Sequence, residues 1–387
     1  MNVLWLVSWY PNRLDNFDGD FIQRHANAVA MYCKVHVIYI KKDKTLAVNE
    51  TQEVNYDSGN LTEEVIYYNS FKTGIKLLDR FLSQLKYNQC YRKAIKAYIT
   101  KNGKPHCVHV HVAMKAGLAA LWIKKKWDIP FIVTEHWTGY HKHAIQSVYN
   151  YDLVFRRKAR KILKEATLFL PVSKDLGETV KHNFVNIPYC VVPNVVNAEF
   201  FYFKLPKHVK FRFIHVSYMN YQKNPEGIFR ACSLLKHKGY NFEVMMLGNK
   251  DENLRLKAQE YNLNDDVLFF LESIPYAEVA LQMQSSSAFL LFSRFENMPC
   301  VILEALCCGL PVISSNVGGI AEVIDETNGI LVENENTEEL AKAMQNLLDN
   351  YMVYDRSAIA ARATAKFNYD TVSKLYLNVY NNTPQPS

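Results

Sequence analysis

Along the chain, short runs of apolar and β-branched residues alternate with longer stretches in which apolar positions recur at helical spacing, the rhythm of parallel βαβ units. Strands are expected near 2–8, 35–40, 65–68, 107–112, 130–134, 168–172 and 189–192. The rhythm then restarts, with strands expected near 211–217, 242–247, 267–270, 288–292, 311–314 and 329–332, and helices over 224–238 and 337–349. Pro193-Asn194-Val195-Val196-Asn197, followed by Phe200 to Pro206, interrupts both periods. The pattern predicts an α/β chain of two doubly wound domains, residues 1–198 and 199–367, each binding ligand at the carboxyl ends of its strands, with a shared cleft. A last helix, 368–382, carries Val372, Leu375, Tyr376 and Val379 on one face and is expected to cross back onto the first domain.

Composition agrees with two buried cores: 387 residues, 49% of them hydrophobic, exclude a disordered chain. The eight cysteines are scattered without a C-x-x-C pair, so reduced thiols in a cytosol are expected. No signal peptide or membrane span is expected, since the opening apolar run stops at Tyr10-Pro11 and no other run approaches the length of a span. The net charge of +7 is uneven: residues 1–195 hold 28 Lys+Arg against 16 Asp+Glu, or +12, leaving 17 against 22, or −5, for the rest. A basic first half attracts anionic lipid or phosphorylated substrates. Nucleic acid is disfavoured, since no reader motif or aromatic platform accompanies the charge.

The most informative stretch runs from Ser293-Arg294-Phe295-Glu296-Asn297-Met298-Pro299 through Glu304 to Gly309-Leu310-Pro311. It reads as strand, loop, helix and turn, with Pro299 suited to the first helical position and Gly309 to the stop. The helix is apolar on every side except at Glu304, and a buried carboxylate needs donors. Two ribose hydroxyls would supply a matched pair; a structural arginine or backbone partner is the alternative. Glu296 falls before the helix, near the positive end of its dipole, where a diphosphate or a capping role is favoured.

Glu296 and Glu304, with seven residues between them, then Gly309-Leu310-Pro311 and Gly318-Gly319, resemble the E-x7-E signature of glycosyltransferase family 4. The resemblance implies a GT-B fold of two Rossmann-like domains and a retaining, metal-independent hexosyltransferase using a nucleotide-diphosphate sugar. No cofactor or metal is implied. Glu296 is then expected to hold donor-sugar hydroxyls and Glu304 the ribose, flanked by Arg294, Asn297, Met298 and Pro299. Ser217, Tyr218 and Lys223 resemble the family's Gly-Arg...Lys segment at the diphosphate, with Tyr218 where arginine is usual and Arg294 as a candidate replacement. Gly248 and Ile274 stand where family members meet the nucleotide through backbone. In the first domain Gly19 resembles the glycine loop beneath the phosphates, and His136, after a strand, resembles the histidine facing the donor sugar.

His109 and His111 alternate on a strand, but H-x-H without a further ligand is a weak metal pattern, so His111 is assigned to the acceptor side. Ser173 marks another strand end, with a helix N-cap as its structural reading. The acceptor class implied is a glycan or lipid-linked saccharide in polysaccharide biosynthesis. Lys124-Lys125-Lys126 and Arg156 to Lys161 are candidates for docking on the anionic inner face of a membrane, or simply a solvated face. Rival readings are an epimerase or phosphorylase of the same fold, and a degenerate, non-catalytic nucleotide-sugar binder.

Overall fold

The computed structural model describes residues 1–47, 50–69, 71–205, 210–249 and 251–384; Pro206, the end of the expected linker, and the tip of the tail lie outside them. The chain divides into two compact units, Met1–Pro193 with Val372–Ser387, and Asn194–Thr371. This division falls at 193/194 instead of 198/199 because the linker is already tied to the second unit. Asn194 Nδ2 donates to the Met298 carbonyl at 2.6 Å, and Val196 N–H donates to the Phe367 carbonyl at 2.8 Å.

The first unit holds β1 (Asn2–Val7), α1 (Asp20–Ala30), β2 (Lys34–Lys42), β3 (Thr51–Ser58), β4 (Leu61–Tyr68), α2 (Lys76–Asn102), β5 (Cys107–His111), α3 (Gly117–Trp127), β6 (Phe131–Glu135), α4 (Leu153–Glu165), β7 (Leu168–Pro171) and α5 (Lys174–Asn183). Its sheet has the order β3-β4-β2-β1-β5-β6-β7, parallel throughout except for the antiparallel β3–β4 edge. Every residue of β5 and β6 is buried, as a parallel strand covered on both faces requires. The strand expected at 189–192 is an extended segment with one bridge, Tyr189 to Phe169, and two hydrogen bonds to β7. Pro188 and Pro193 flank it and supply no N–H to extend the ladder.

The second unit holds β8 (Arg212–Ser217), α6 (Pro225–His237), β9 (Glu243–Gly248), α7 (Glu252–Glu260), β10 (Leu268–Glu272), α8 (Tyr276–Gln284), β11 (Ala288–Leu291), α9 (Cys300–Cys307), β12 (Val312–Ser315), β13 (Gly329–Val332), α10 (Thr337–Asn350) and α11 (Arg356–Phe367). Its all-parallel sheet has the order β10-β9-β8-β11-β12-β13, so the strand order reverses between β8 and β11. The helix α12 (Tyr369–Asn381) begins here, and from Val372 onward it packs in the first unit, where Tyr380 OH lies 2.7 Å from His109 Nδ1. Among the described residues, no helix is long and apolar enough to cross a membrane.

Candidate functional site

In the second unit, the loops that follow β8 and β11 leave the sheet side by side where the strand order reverses, the point at which doubly wound sheets open a crevice for ligand. Side chains and backbone lace the two loops together. Arg294 N–H donates to the Gln222 carbonyl at 2.8 Å, and Gln222 Nε2 donates to the Phe295 carbonyl at 2.9 Å. Lys223 Nζ forms an ion pair with Glu296 Oε1, and both groups are largely buried. Asn224, at φ 48°, caps α6 ahead of Pro225, so the chain turns into the helix directly after the lysine.

Two glycines fix how tightly this crevice closes. Gly248, at φ 144°, ends β9 so near β8 that a Cβ would lie 1.8 Å from the Ser217 carbonyl oxygen. Gly318, at φ 56°, brings the loop after β12 against the Glu296 carbonyl, where a Cβ would lie at 2.0 Å. Ser217 accepts the Met219 N–H at 2.9 Å and lies 2.6 Å from His215 Nε2. His215 Nδ1 lies 2.9 Å from the Leu290 carbonyl, so that nitrogen carries the proton and Ser217 donates to Nε2. Burial holds His215 at about 4, neutral in this relay. Glu304, only 3% exposed on α9, accepts from Tyr276 OH at 3.0 Å.

In the first unit, four histidines gather beside the ends of β5 and β6. His111 Nδ1 and His136 Nε2 are 3.4 Å apart and their rings are stacked. His25 of α1 stands 5.5 Å, centroid to centroid, from His136, and Phe21 stands 4.8 Å from it. His109 lies below, held between Tyr380 OH and Thr134 Oγ1, both at 2.7 Å. Burial, with the neighbouring histidines, holds His109 and His111 well below the ordinary histidine value. Glu135 orders the loop that carries His136. Its carboxylate accepts the N–H groups of Ala113, His136 and Trp137 and the Tyr140 hydroxyl at 3.0–3.3 Å, while burial lifts its pKa to about 7.

Two family models match almost end to end: "Glycosyltransferase Family 4" over residues 24–200 and "Glycosyl transferases group 1" over residues 198–365. The chain belongs to glycosyltransferase family 4. Among its relatives, a probable sucrose-phosphate synthase of Thermosipho melanesiensis is 27% identical over 320 residues, 75% of this chain and 73% of that protein. Two solved structures share the fold. Sucrose-phosphate synthase from Thermosynechococcus elongatus superposes with a TM-score of 0.79 at 19% identity, covering 99% of this chain and 100% of that one. Anabaena HepE, solved in complex with UDP-glucose, does so with 0.71 at 14% identity, covering 99% and 100%. The fold is thus the GT-B pair of Rossmann-like units, and the enzyme is a glycosyltransferase.

Within this family 4 glycosyltransferase the structure brings Glu296, Lys223, Arg294, Asn297, Ser217 and Gly248 together at the β8–β11 switch. Several expectations change. Pro299 is the N-cap of α9 and not its first residue, and the Met298 carbonyl is taken by Asn194. Arg294 does not replace the missing arginine: Glu335 Oε1 at 2.7 Å and the Tyr221 carbonyl hold its guanidinium over the Tyr221 ring. Tyr218 projects outward, 58% exposed, because Met219 at φ 51° turns the backbone beneath it. Gly318 and Gly319 open a 3-10 turn, not an α-helix, and Gly319 N–H already donates to the Asn297 carbonyl at 2.8 Å. Ile274 sits half-buried in the loop between β10 and α8.

In the first unit, Ser173 is fully buried and caps α5 by accepting Leu176 N–H at 3.1 Å, so it is a structural residue and not an acceptor contact. His111 is fully buried beneath the half-exposed His136, so it lines no surface. Gly19, at φ 68°, is needed where α1 begins, since a Cβ would lie 2.6 Å from the Trp9 carbonyl carbon. The sequence reading missed His25, Glu135 and Tyr276. His25 follows Phe21 by four residues on the buried face of α1, a signal that was available; nothing in the sequence joins Tyr276 to a carboxylate 28 residues away.

Proposed function

We propose that this glycosyltransferase moves a hexose-type sugar, with retention and without a metal, from a nucleotide-diphosphate sugar to a glycan or lipid-linked saccharide in polysaccharide biosynthesis. One observation carries the reading: Glu296 and Glu304 flank the start of α9 at the strand-order reversal, the first paired with Lys223 and the second buried beneath a tyrosine hydroxyl. In this proposal Glu304 accepts from the ribose hydroxyls and Glu296 from hydroxyls of the donor sugar. Lys223 stabilises the departing diphosphate where negative charge develops. Asn297, Ser217, Gly248 and Ile274 line the same crevice, and His136 and Gly19 serve the reaction from the first unit.

Retention follows if the bond from the anomeric carbon to the diphosphate breaks as the acceptor oxygen bonds to that carbon on the same face. The acceptor's proton then passes to the leaving phosphate oxygen. HepE, solved with UDP-glucose, supports the donor class. The test is a thermal-shift panel of nucleotide-sugars, followed by NMR of the anomeric product with and without chelator. The reading fails if no nucleotide-diphosphate sugar stabilises the chain, if the product is inverted, or if chelation abolishes turnover. A non-catalytic binder is the second reading, favoured by Tyr218 in place of arginine; slow donor hydrolysis with retained configuration rejects it.

A further inference from the structure

The strand β8 parts from one neighbour before it parts from the other. Toward β9 its ladder runs to the last residue, Ser217 opposite Gly248, whereas toward β11 it stops at Ile214 opposite Phe289. Beyond that point side chains meet the carbonyls at and just past the end of β11. Ser314 Oγ donates to the Leu291 carbonyl at 2.8 Å, and Ser315 Oγ donates to that of Ser293 at 2.6 Å. From β8, His215 Nδ1 reaches the Leu290 carbonyl at 2.9 Å. His215 is therefore a fully buried imidazole that spans the two strands where the crevice begins. The proposed transfer uses Lys223, Glu296 and Glu304 and leaves this ring without a part.

Counting protons and lone pairs fixes what Ser217 can offer a ligand. A serine hydroxyl has one proton and two lone pairs. Because His215 Nδ1 donates to the Leu290 carbonyl, the neutral ring keeps a bare lone pair at Nε2, and the Ser217 proton goes to it at 2.6 Å. One Ser217 lone pair takes the Met219 N–H at 2.9 Å, with Met219 turned to φ 51°. What the half-buried serine has left is a single lone pair. A phosphate oxygen is itself an acceptor and gains nothing there, whereas a sugar hydroxyl can donate to it. Burial holds the ring neutral at about 4, and the Lys223 ammonium adds to this against the pull of the Leu290 carbonyl.

Resting on the proposed nucleotide-sugar donor, we infer that His215 is a positioning residue for donor-sugar specificity: by taking the Ser217 proton it makes Ser217 an acceptor for a hydroxyl of the transferred sugar and keeps that oxygen from serving the diphosphate. The other polar parts of the donor have partners in that reading, the diphosphate at Lys223 and the ribose at Glu304 on α9. The transferred sugar therefore supplies the hydroxyl. Since the bridge to Leu290 fixes the imidazole, and the imidazole fixes the Ser217 proton, the lone pair has one direction. A sugar that lacks a hydroxyl along it leaves a polar group unpaired and is disfavoured.

The test titrates the full chain calorimetrically with the nucleotide-sugar that the thermal-shift panel selects and with its nucleoside diphosphate. Ser217→Ala is expected to weaken the nucleotide-sugar about five- to tenfold and to leave the nucleoside diphosphate within about twofold. His215→Phe has no acceptor for the Ser217 proton and should weaken the nucleotide-sugar but not the nucleoside diphosphate. His215→Gln, whose amide can accept from Ser217 and donate to Leu290, should restore the nucleotide-sugar to within about twofold of the starting protein. On the Ser217→Ala background His215→Phe should weaken the nucleotide-sugar no further, even where it lowers the unfolding midpoint. In heteronuclear NMR of the imidazole nitrogens, the signal missing from His215→Gln should be that of a neutral Nδ1–H tautomer, with donor bound as without. Equal loss of both ligands in Ser217→Ala, no loss of either, additive effects in the double variant, or an Nε2–H or charged ring overturns the inference. If His215→Phe does not fold, Ser217→Ala, His215→Gln and the ring signal decide. A starting protein that binds neither ligand fails the donor reading and this inference together, whereas one that binds both without the split fails the inference alone.

Discussion

Replacing Glu304 by alanine separates a ligand-binding carboxylate from a structural one. The side chain is 3% exposed and accepts from Tyr276 OH at 3.0 Å. If two ribose hydroxyls also donate to it, two charge-assisted bonds of about 1.5–3 kcal/mol each are lost. That is about 3–6 kcal/mol, or roughly a hundredfold to ten-thousandfold in donor affinity. The structural loss is smaller, because Tyr276 is only half-buried and its freed hydroxyl can reach water, about 1 kcal/mol in folding stability. Calorimetric titration with the nucleotide-sugar selected by the panel, beside urea unfolding, reads both quantities. Tyr276→Phe is the control, removing this hydroxyl while leaving the carboxylate, and should weaken binding less than about tenfold. A Glu304→Ala protein that keeps donor affinity within about threefold while losing most of its stability would refute the assignment.

Glu296→Gln removes the charge that pairs with Lys223, and is expected to lower kcat by about a hundredfold or more with little change in KM; a change confined to KM contradicts its place at the reacting sugar. Gly248→Ala puts a methyl 1.8 Å from the Ser217 carbonyl oxygen at φ 144°, so the unfolding midpoint should fall by the equivalent of about 3 kcal/mol or more; a wild-type midpoint contradicts the packing described. Glu135→Ala leaves three N–H groups, that of Ala113 buried, without their acceptor and should cost about 3–5 kcal/mol, with turnover falling as the His136 loop loses its anchor; wild-type stability contradicts that role. Acid should destabilise the fold. His109, His111 and His215 are held neutral by burial, so the unfolded chain gains their protons below 6.5, and stability falls by about 1.4 kcal/mol per pH unit for each. Glu135, raised to about 7, opposes this with one proton, leaving a net loss of about 2.7 kcal/mol per unit between pH 6 and 5; unfolding free energy that stays level on acidification contradicts it.

The buried parallel strands were legible because a strand covered on both faces reads as an unbroken apolar run, as in Val3–Val7 and Phe131–Val133. The edge strand β3 was not: Thr51–Ser58 is almost wholly exposed and polar, and only its pairing with β4 holds it extended. The polar first half of β4 was lost for the same reason, since Leu61–Glu64 owes its register to β2. The glutamate pair and the lysine could be found because each sits next to a strand or helix signal. What the sequence could not show is occupancy. Ser173, Arg294 and Met298 occupy plausible positions, but a cap, a carboxylate and an asparagine already hold their polar atoms. Those partners are distant in the chain or invisible without coordinates.

If Lys223 and Glu296 hold the donor as proposed, their contact has a consequence for selectivity. A resting enzyme whose ammonium is already mated offers little to a stray sulfate or orthophosphate, which would have to divorce the pair and leave the acid stranded. A molecule that brings an anion and sugar hydroxyls together rehouses both partners at once. In the proposed donor site the pair would therefore work as a lock that opens to a two-pronged visitor and ignores a one-pronged one.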